Sequence, residues 1–191
     1  MKKAKGAAGI DKQSLSDFAL NLSDNLDALL LELTTKQYRP QPVRRVEIPK
    51  EGGGVRLLGI PTVRDRVVQQ TLNDLLTPIF EGQFHPSSFG YRPKRSCHDA
   101  INKATMFIRR YGREHVVDMD LSKCFDKLDH ELILKSIRQR VTDSSVLGLI
   151  NQFLTSGVMT EGHWQQTEIG SPQGGVISPL IANIYLDAFD L

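Results

Sequence analysis

The chain has 191 residues, 40% of them hydrophobic and 24% charged, which is enough apolar material to pack a core and too much for a disordered chain. No apolar run nears the roughly 20 residues that cross a bilayer, so no membrane span is expected. The formal net charge of +2 hides an asymmetry: residues 1–113 hold 19 Lys+Arg against 11 Asp+Glu, and residues 114–191 hold 5 against 11. A basic first part and an acidic second part suit a protein that grips a polyanion and holds cations, although charges that are local in sequence often scatter on folding.

Lys2, Lys3 and Lys5 are followed by Gly6 to Gly9 and Asp11 where a secretory signal would carry its apolar core, so export is not expected. Cys97 and Cys124 lie far apart without a Cys-x-x-Cys pattern, which argues against a disulfide scaffold or zinc site and fits a reducing cytoplasm.

Leu15, Phe18, Ala19, Leu22, Leu26, Leu29, Leu30 and Leu33 recur at helical spacing behind a Ser14–Asp17 capping box. They predict one amphipathic helix ending near Gln37, before Pro40 and Pro42, with its leucine face in the core. Two β-rich runs, 43–50 and 55–60, are joined by Glu51-Gly52-Gly53-Gly54, predicting an exposed hairpin that carries Arg44, Lys50 and Arg56 outward. Thr62 caps a helix whose apolar residues run from Val63 to Ile79 and which Phe80 and Gly82 end. After the aromatic, basic loop 85–93, Ser96 caps another helix running to Tyr111. Val116, Val117 and Met119 predict a strand over 115–120.

Asp129 or His130 opens a further helix, and 146–154 forms another. A hairpin over 157–169 and a turn at 170–175 lead to a last helix from Ser178. The fold class is α+β, mostly helical with short strands, a basic lobe giving way to an acidic one at about residues 82–115.

The densest chemistry is the run Asp118 to His130, four carboxylates at a predicted strand end. Such a cluster suits Mg²⁺, a hard cation that takes one or two carboxylates plus phosphate oxygens and water. The alternative at this point is that these acids solvate a strand-to-helix loop, with Asp126 as a turn residue and Asp129 as a cap. Pro172-Gln173-Gly174-Gly175 is the second informative stretch, since paired glycines let backbone approach a ligand and Gln173 can both donate and accept. Equally, those four residues make an ordinary turn before a helix. The five histidines are dispersed and read as structural, and Cys124 reads as a small buried hydrophobe.

Four stretches, 56–66 (Arg-Leu-Leu-Gly-Ile-Pro-Thr-Val-Arg-Asp-Arg), Phe89-Gly90-Tyr91-Arg92-Pro93, Asp120 with Phe125-Asp126, and Gly170 to Pro179, together resemble the reverse transcriptases encoded by bacterial group II introns. The likeness runs from Gly9-Ile10-Asp11 through Asp187; Leu57 departs from the proline usual before Leu-Gly-Ile-Pro. It implies the fingers (1–114) and part of the palm (115–191) of a right-hand polymerase, the two interleaved, with short antiparallel strands. It also implies an RNA-directed DNA polymerase that adds dNTPs to a DNA primer on an RNA template, in the bacterial cytoplasm.

Carried over residue by residue, the resemblance makes Asp120 the first metal-binding aspartate, with the Leu121 backbone as a further ligand, for Mg²⁺ or Mn²⁺ in its place. Phe125 becomes the gate against a ribose 2′-hydroxyl, Lys50 and Arg56 the cations facing the triphosphate, and Gln173 a lining residue of the nucleotide pocket. Arg92, Lys94 and Arg95 become contacts to template phosphates, and Asp118 a supporting residue.

The family's Tyr/Phe-x-Asp-Asp hairpin has no counterpart here, since the sequence contains no Asp-Asp pair. This predicts an N-terminal fragment of a longer polymerase, inactive alone and prone to self-association or dimerisation. The competing function is a maturase-type module that holds intron RNA and assists splicing. Retron, diversity-generating and CRISPR-associated reverse transcriptases share these motifs.

Overall fold

The computed structural model describes residues 6–160, 162–167, 169–171 and 174–189. The predicted first helix is two: α1 (Leu15–Leu20), closed by the Ser14–Asp17 capping box, and α2 (Leu22–Thr34). Asn21 leaves helical geometry at φ −121° and ψ 49°, and the Asn25 amide donates to the Phe18 carbonyl across the break. Only Phe18 and Leu29 of the leucine face are buried, while Leu22, Leu26 and Leu30 are exposed. The apolar stripe is wider than the surface these two short helices touch, so expecting all of it in the core was wrong.

Strands β1 (Val43–Pro49) and β2 (Val55–Ile60) form the expected hairpin, in a register that pairs Ile48 with Arg56 and Arg44 with Ile60. Gly53 and Gly54 close its loop at φ +88° and +80°, and the Lys50 amide donates to the Gly54 carbonyl. The arginines at the hairpin's base hold main chain: Arg44 Nε donates to the Ala8 carbonyl and Arg66, on the following helix, to Ala7.

Helix α3 (Val63–Phe80) starts where the Thr62 hydroxyl accepts the Asp65 amide, and buries Val68, Leu72, Leu76 and Phe80. Helix α4 (Cys97–Tyr111) has the Ser96–Asp99 capping box and a left-handed Gly112 stop, yet buries none of its residues. The strand predicted over 115–120 does not form. Those residues are irregular, with Val116, Val117 and Met119 77–86% exposed, because β-compatible side chains make a strand only when a neighbouring backbone pairs with them.

A 3₁₀ turn at Cys124–Lys127 precedes α5 (His130–Arg138), capped by Asp129, and α6 (Ser144–Thr155), capped by Asp143. Strands β3 (Val158–Thr160) and β4 (His163–Gln165) form the second predicted hairpin, and α7 (Ser178–Leu186) follows.

The four strands make one sheet in the order β2-β1-β3-β4. Its central pairing, Val43 with Val158, is parallel, a geometry that the long helical crossover between them permits. One core joins both halves of the chain: Leu29, Tyr38, Leu72 and Leu76 pack in the same cluster as Leu128, Ile133, Ile150 and Ile181.

Beside that core, the buried Tyr38 hydroxyl donates to the Asp65 carboxylate, which also accepts the Gln41 amide. Burial pushes the Asp65 carboxyl above its usual value of 3.8, and the hydrogen bond from Tyr38 pulls it back. In the folded state Asp65 therefore keeps its proton to higher pH than in the unfolded chain, and stability declines as pH rises through that window. Tyr38→Phe strips one donor from the carboxylate. It is expected to cost about 1–3 kcal/mol at neutral pH and to carry the decline to higher pH, measured by urea unfolding across a pH series.

Candidate nucleotide site

The hairpin brings two cations to one wall of an open cleft of about 540 Å³: Lys50 at the end of β1 and Arg56 near the start of β2. The opposite wall is Asp120, Leu121, Lys123, Cys124, Phe125 and Asp126. Local hydrogen bonds shape that wall. Lys123 takes a left-handed backbone at φ +54°, the Cys124 amide donates to the Leu121 carbonyl, and the Asp126 amide donates to the Lys123 carbonyl. This tight turn leaves Phe125 half-buried and edge-on to Tyr91, ring centroids 6.5 Å apart at 85°.

Asp120, expected at the tip of a strand, thus sits in an irregular, exposed segment, but in the cleft that Lys50, Arg56, Leu121 and Phe125 also line. The Leu121 carbonyl already accepts one amide, which leaves its second lone pair for a further ligand. Burial and the nearby Asp120 charge push the Cys124 thiol above its ordinary value, so it stays protonated and suits packing better than nucleophilic chemistry. Gln173 and Pro172 lie outside the described residues.

Arg92 requires a correction. Its guanidinium is spent inside the protein: Nε and Nη2 donate to a Glu81 carboxylate oxygen, Nη2 also to the Glu81 carbonyl, and Nη1 to the carbonyls of His85 and Ser88. All five N–H donors are engaged and the residue is 7% exposed, so it clamps a loop and does not face a template phosphate. Lys94 is exposed, and Arg95 is half-buried, with Nη1 donating to Pro86 and Ser88 carbonyls and its guanidinium over the Phe89 ring.

Sequence reasoning passed over Tyr91 as the partner of Phe125 and Lys123 as part of the wall. It also took Asp126 for a turn residue alone. Tyr91 and Asp126 stand inside motifs visible in the sequence, and Lys123 lies beside one.

Among the described residues, no three His, Cys, Asp or Glu side chains gather closely enough to hold a metal ion. Asp120 with the Leu121 carbonyl offers a partial, all-oxygen donor set, the type that hard divalent cations prefer. None of the helices described is long and apolar enough to cross a membrane.

The α+β fold thus sets a basic hairpin over a carboxylate-bearing turn, with one open cleft between them. The sequence matches the family described as reverse transcriptase (RNA-dependent DNA polymerase) over residues 48–190, and the chain belongs to that family. It is 39% identical to Protein YkfC of Escherichia coli over 192 residues, covering 98% of this chain and 50% of that protein. It is 37% identical to the group II intron-encoded protein LtrA of Lactococcus lactis over 188 residues, covering 97% of this chain and 31% of LtrA.

The chain thus spans half or less of these curated relatives. Among solved structures, a chain of a partial Cas6-RT-Cas1–Cas2 complex shares the fold with a TM-score of 0.58 at 22% identity, over 90% of this chain and 29% of that one. Members of the family act on nucleic acid and work with divalent metal ions.

Proposed function

We propose that this chain contributes the nucleotide-binding half of an RNA-directed DNA polymerase of the group II intron type, adding dNTPs to a DNA primer on an RNA template. The observation that carries the reading is the shared cleft of Lys50, Arg56, Asp120 and Phe125. Lys50 and Arg56 neutralise the incoming triphosphate, and Phe125 crowds the 2′-hydroxyl of a ribonucleotide. The nucleotide-contacting role of Gln173 rests on its sequence motif alone, while Lys94 and the outer face of Arg95 serve the template phosphates.

Asp120 and the Leu121 carbonyl would hold Mg²⁺, or Mn²⁺ in its place. When bound, the ion supplies charge stabilisation to the transferring phosphoryl group. In-line phosphoryl transfer uses two ions ~3.5–4 Å apart, and one carboxylate cannot hold both. The 191-residue chain alone is therefore expected to polymerise nothing.

The test is primer extension by the protein expressed from its complete reading frame. Replacing Lys50 and Arg56 together with alanine is expected to raise KM for dNTP about tenfold or more, the worth of charge-assisted hydrogen bonds to phosphate, with a smaller change in kcat. An unchanged KM sinks this reading. The exposed Arg109, Arg110 and Arg113 favour a second role, holding structured intron RNA during splicing. RNA affinity that survives loss of Lys50 and Arg56 but falls when these three arginines are replaced would favour it.

A further inference from the structure

The described residues 170–171 and 174–178 form a strap that is tied down at both ends. At its front, the Gly170 amide donates to the Leu128 carbonyl and the Ser171 amide to the Phe125 carbonyl, both at 2.8 Å. The buried His130 ring, at the start of α5, donates from Nε2 to the Gly170 carbonyl at 2.7 Å. Because the partner is a carbonyl, Nε2 must carry the proton. At the rear, Gln69 of α3, 5% exposed, accepts the Val176 amide on Oε1 at 2.7 Å. Ser171 and Ser178, both buried, join their hydroxyls at 2.8 Å and so link front to rear.

Between these anchors, Gly174 runs against β2 so closely that a Cβ there would lie 2.5 Å from the Gly59 carbonyl oxygen. Likewise a Cβ on Gly170 would lie 2.8 Å from the Asp126 carbonyl oxygen. The strap therefore touches both walls of the cleft: the basic hairpin through Gly59 and the Phe125 turn through Phe125 and Asp126. Neither wall can shift without straining it.

We propose that Gln69 and His130 are positioning residues that hold this strap, and through it fix the separation of the Phe125 gate from the hairpin, so that discrimination between deoxy- and ribonucleotides depends on them. The proposal rests on the polymerase reading above and extends it to residues outside the cleft. The physical argument is population shift: losing an anchor leaves the part-buried Val176 amide or the buried Gly170 carbonyl unpaired and populates strap positions in which Phe125 no longer crowds the sugar.

The test uses the protein expressed from its complete reading frame and compares kcat/KM for a dNTP with that for the matching rNTP. Gln69→Leu and His130→Leu are each expected to lower the dNTP:rNTP ratio about tenfold. Gln69→Glu, which keeps an acceptor, and His130→Gln, which keeps a donor at the same reach, are expected to restore it to within about twofold. Equal losses for both nucleotides with an unchanged ratio, in variants that melt like wild type, overturn the proposal. Should Gln69→Leu fail to fold, Gln69→Asn withdraws the acceptor by one methylene and carries the same comparison.

A wild-type protein that extends no primer sinks the polymerase reading instead. The strap is then judged by amide hydrogen exchange. Gln69→Leu must speed exchange at Val176 about tenfold or more, and no change overturns the proposal.

Discussion

Asp120→Asn, in the protein expressed from its complete reading frame, is expected to lower kcat for template-directed DNA synthesis by about 10²–10³-fold while leaving thermal stability where it was. Asparagine preserves the size of the side chain and one acceptor oxygen, so what is lost is the negative charge and the second oxygen donor. That charge is what the all-oxygen coordination of a hard divalent ion requires. Asp120 is exposed in the cleft, and substitutions at such positions change stability by no more than about 0.5 kcal/mol.

The two readouts therefore separate chemistry from folding: primer extension falls and the melting temperature holds. Synthesis at the wild-type rate would remove Asp120 from the metal site. Asp118, exposed and outside the lining of the cleft, serves as the neighbouring control, and Asp118→Asn should leave synthesis nearly intact.

The second large effect belongs to Arg92 and is one of stability. Its ion pair with Glu81 leaves the arginine side chain 3% and the glutamate side chain 27% exposed. The guanidinium also caps the ring of Phe84 at 5.2 Å. Arg92→Met removes five donors at once and leaves a half-buried carboxylate with three carbonyls to find other partners.

Breaking a buried pair in this way costs about 3–5 kcal/mol, enough to unfold a marginal domain at physiological temperature. Arg92→Lys is expected to fare little better, since an ammonium cannot reproduce the planar fork. Urea unfolding checks both. Lys94→Ala is the contrast: RNA affinity should fall with a shallower salt dependence and stability should not move. A folded, stable Arg92→Met protein with weakened RNA binding would return Arg92 to the template.

The helix starts show why some of this fold was legible in advance. Ser14 with Asp17, Ser96 with Asp99, Thr62 and Asp129 each bind a backbone group three residues away, so the signal and its consequence lie in the same stretch of sequence. The same holds for the hairpin loop, where Gly53 and Gly54 take up positive φ.

The segment 115–120 shows the opposite case. Val116, Val117 and Met119 have the composition of a strand, and composition cannot supply the second strand. Leu22, Leu26 and Leu30 have the spacing of a core stripe, and spacing does not say how wide the contacting surface will be. Arg92 has the side chain of a phosphate ligand, and only the carbonyls of loop 81–88 reveal that it is already occupied.

By itself, then, the sequence determined where most of the helices begin, where the first hairpin turns and which family the chain belongs to. All of these rest on interactions within a few residues or on motifs whose members are adjacent. Only the tertiary structure decided that β1 and β3 lie side by side in parallel, and that Lys50 and Arg56 share a cleft with Asp120 and Phe125. It alone shows Gln69 and His130 gripping the strap across it. Those relations join residues tens of positions apart, and they are set by which buried polar groups find partners once the single core has closed.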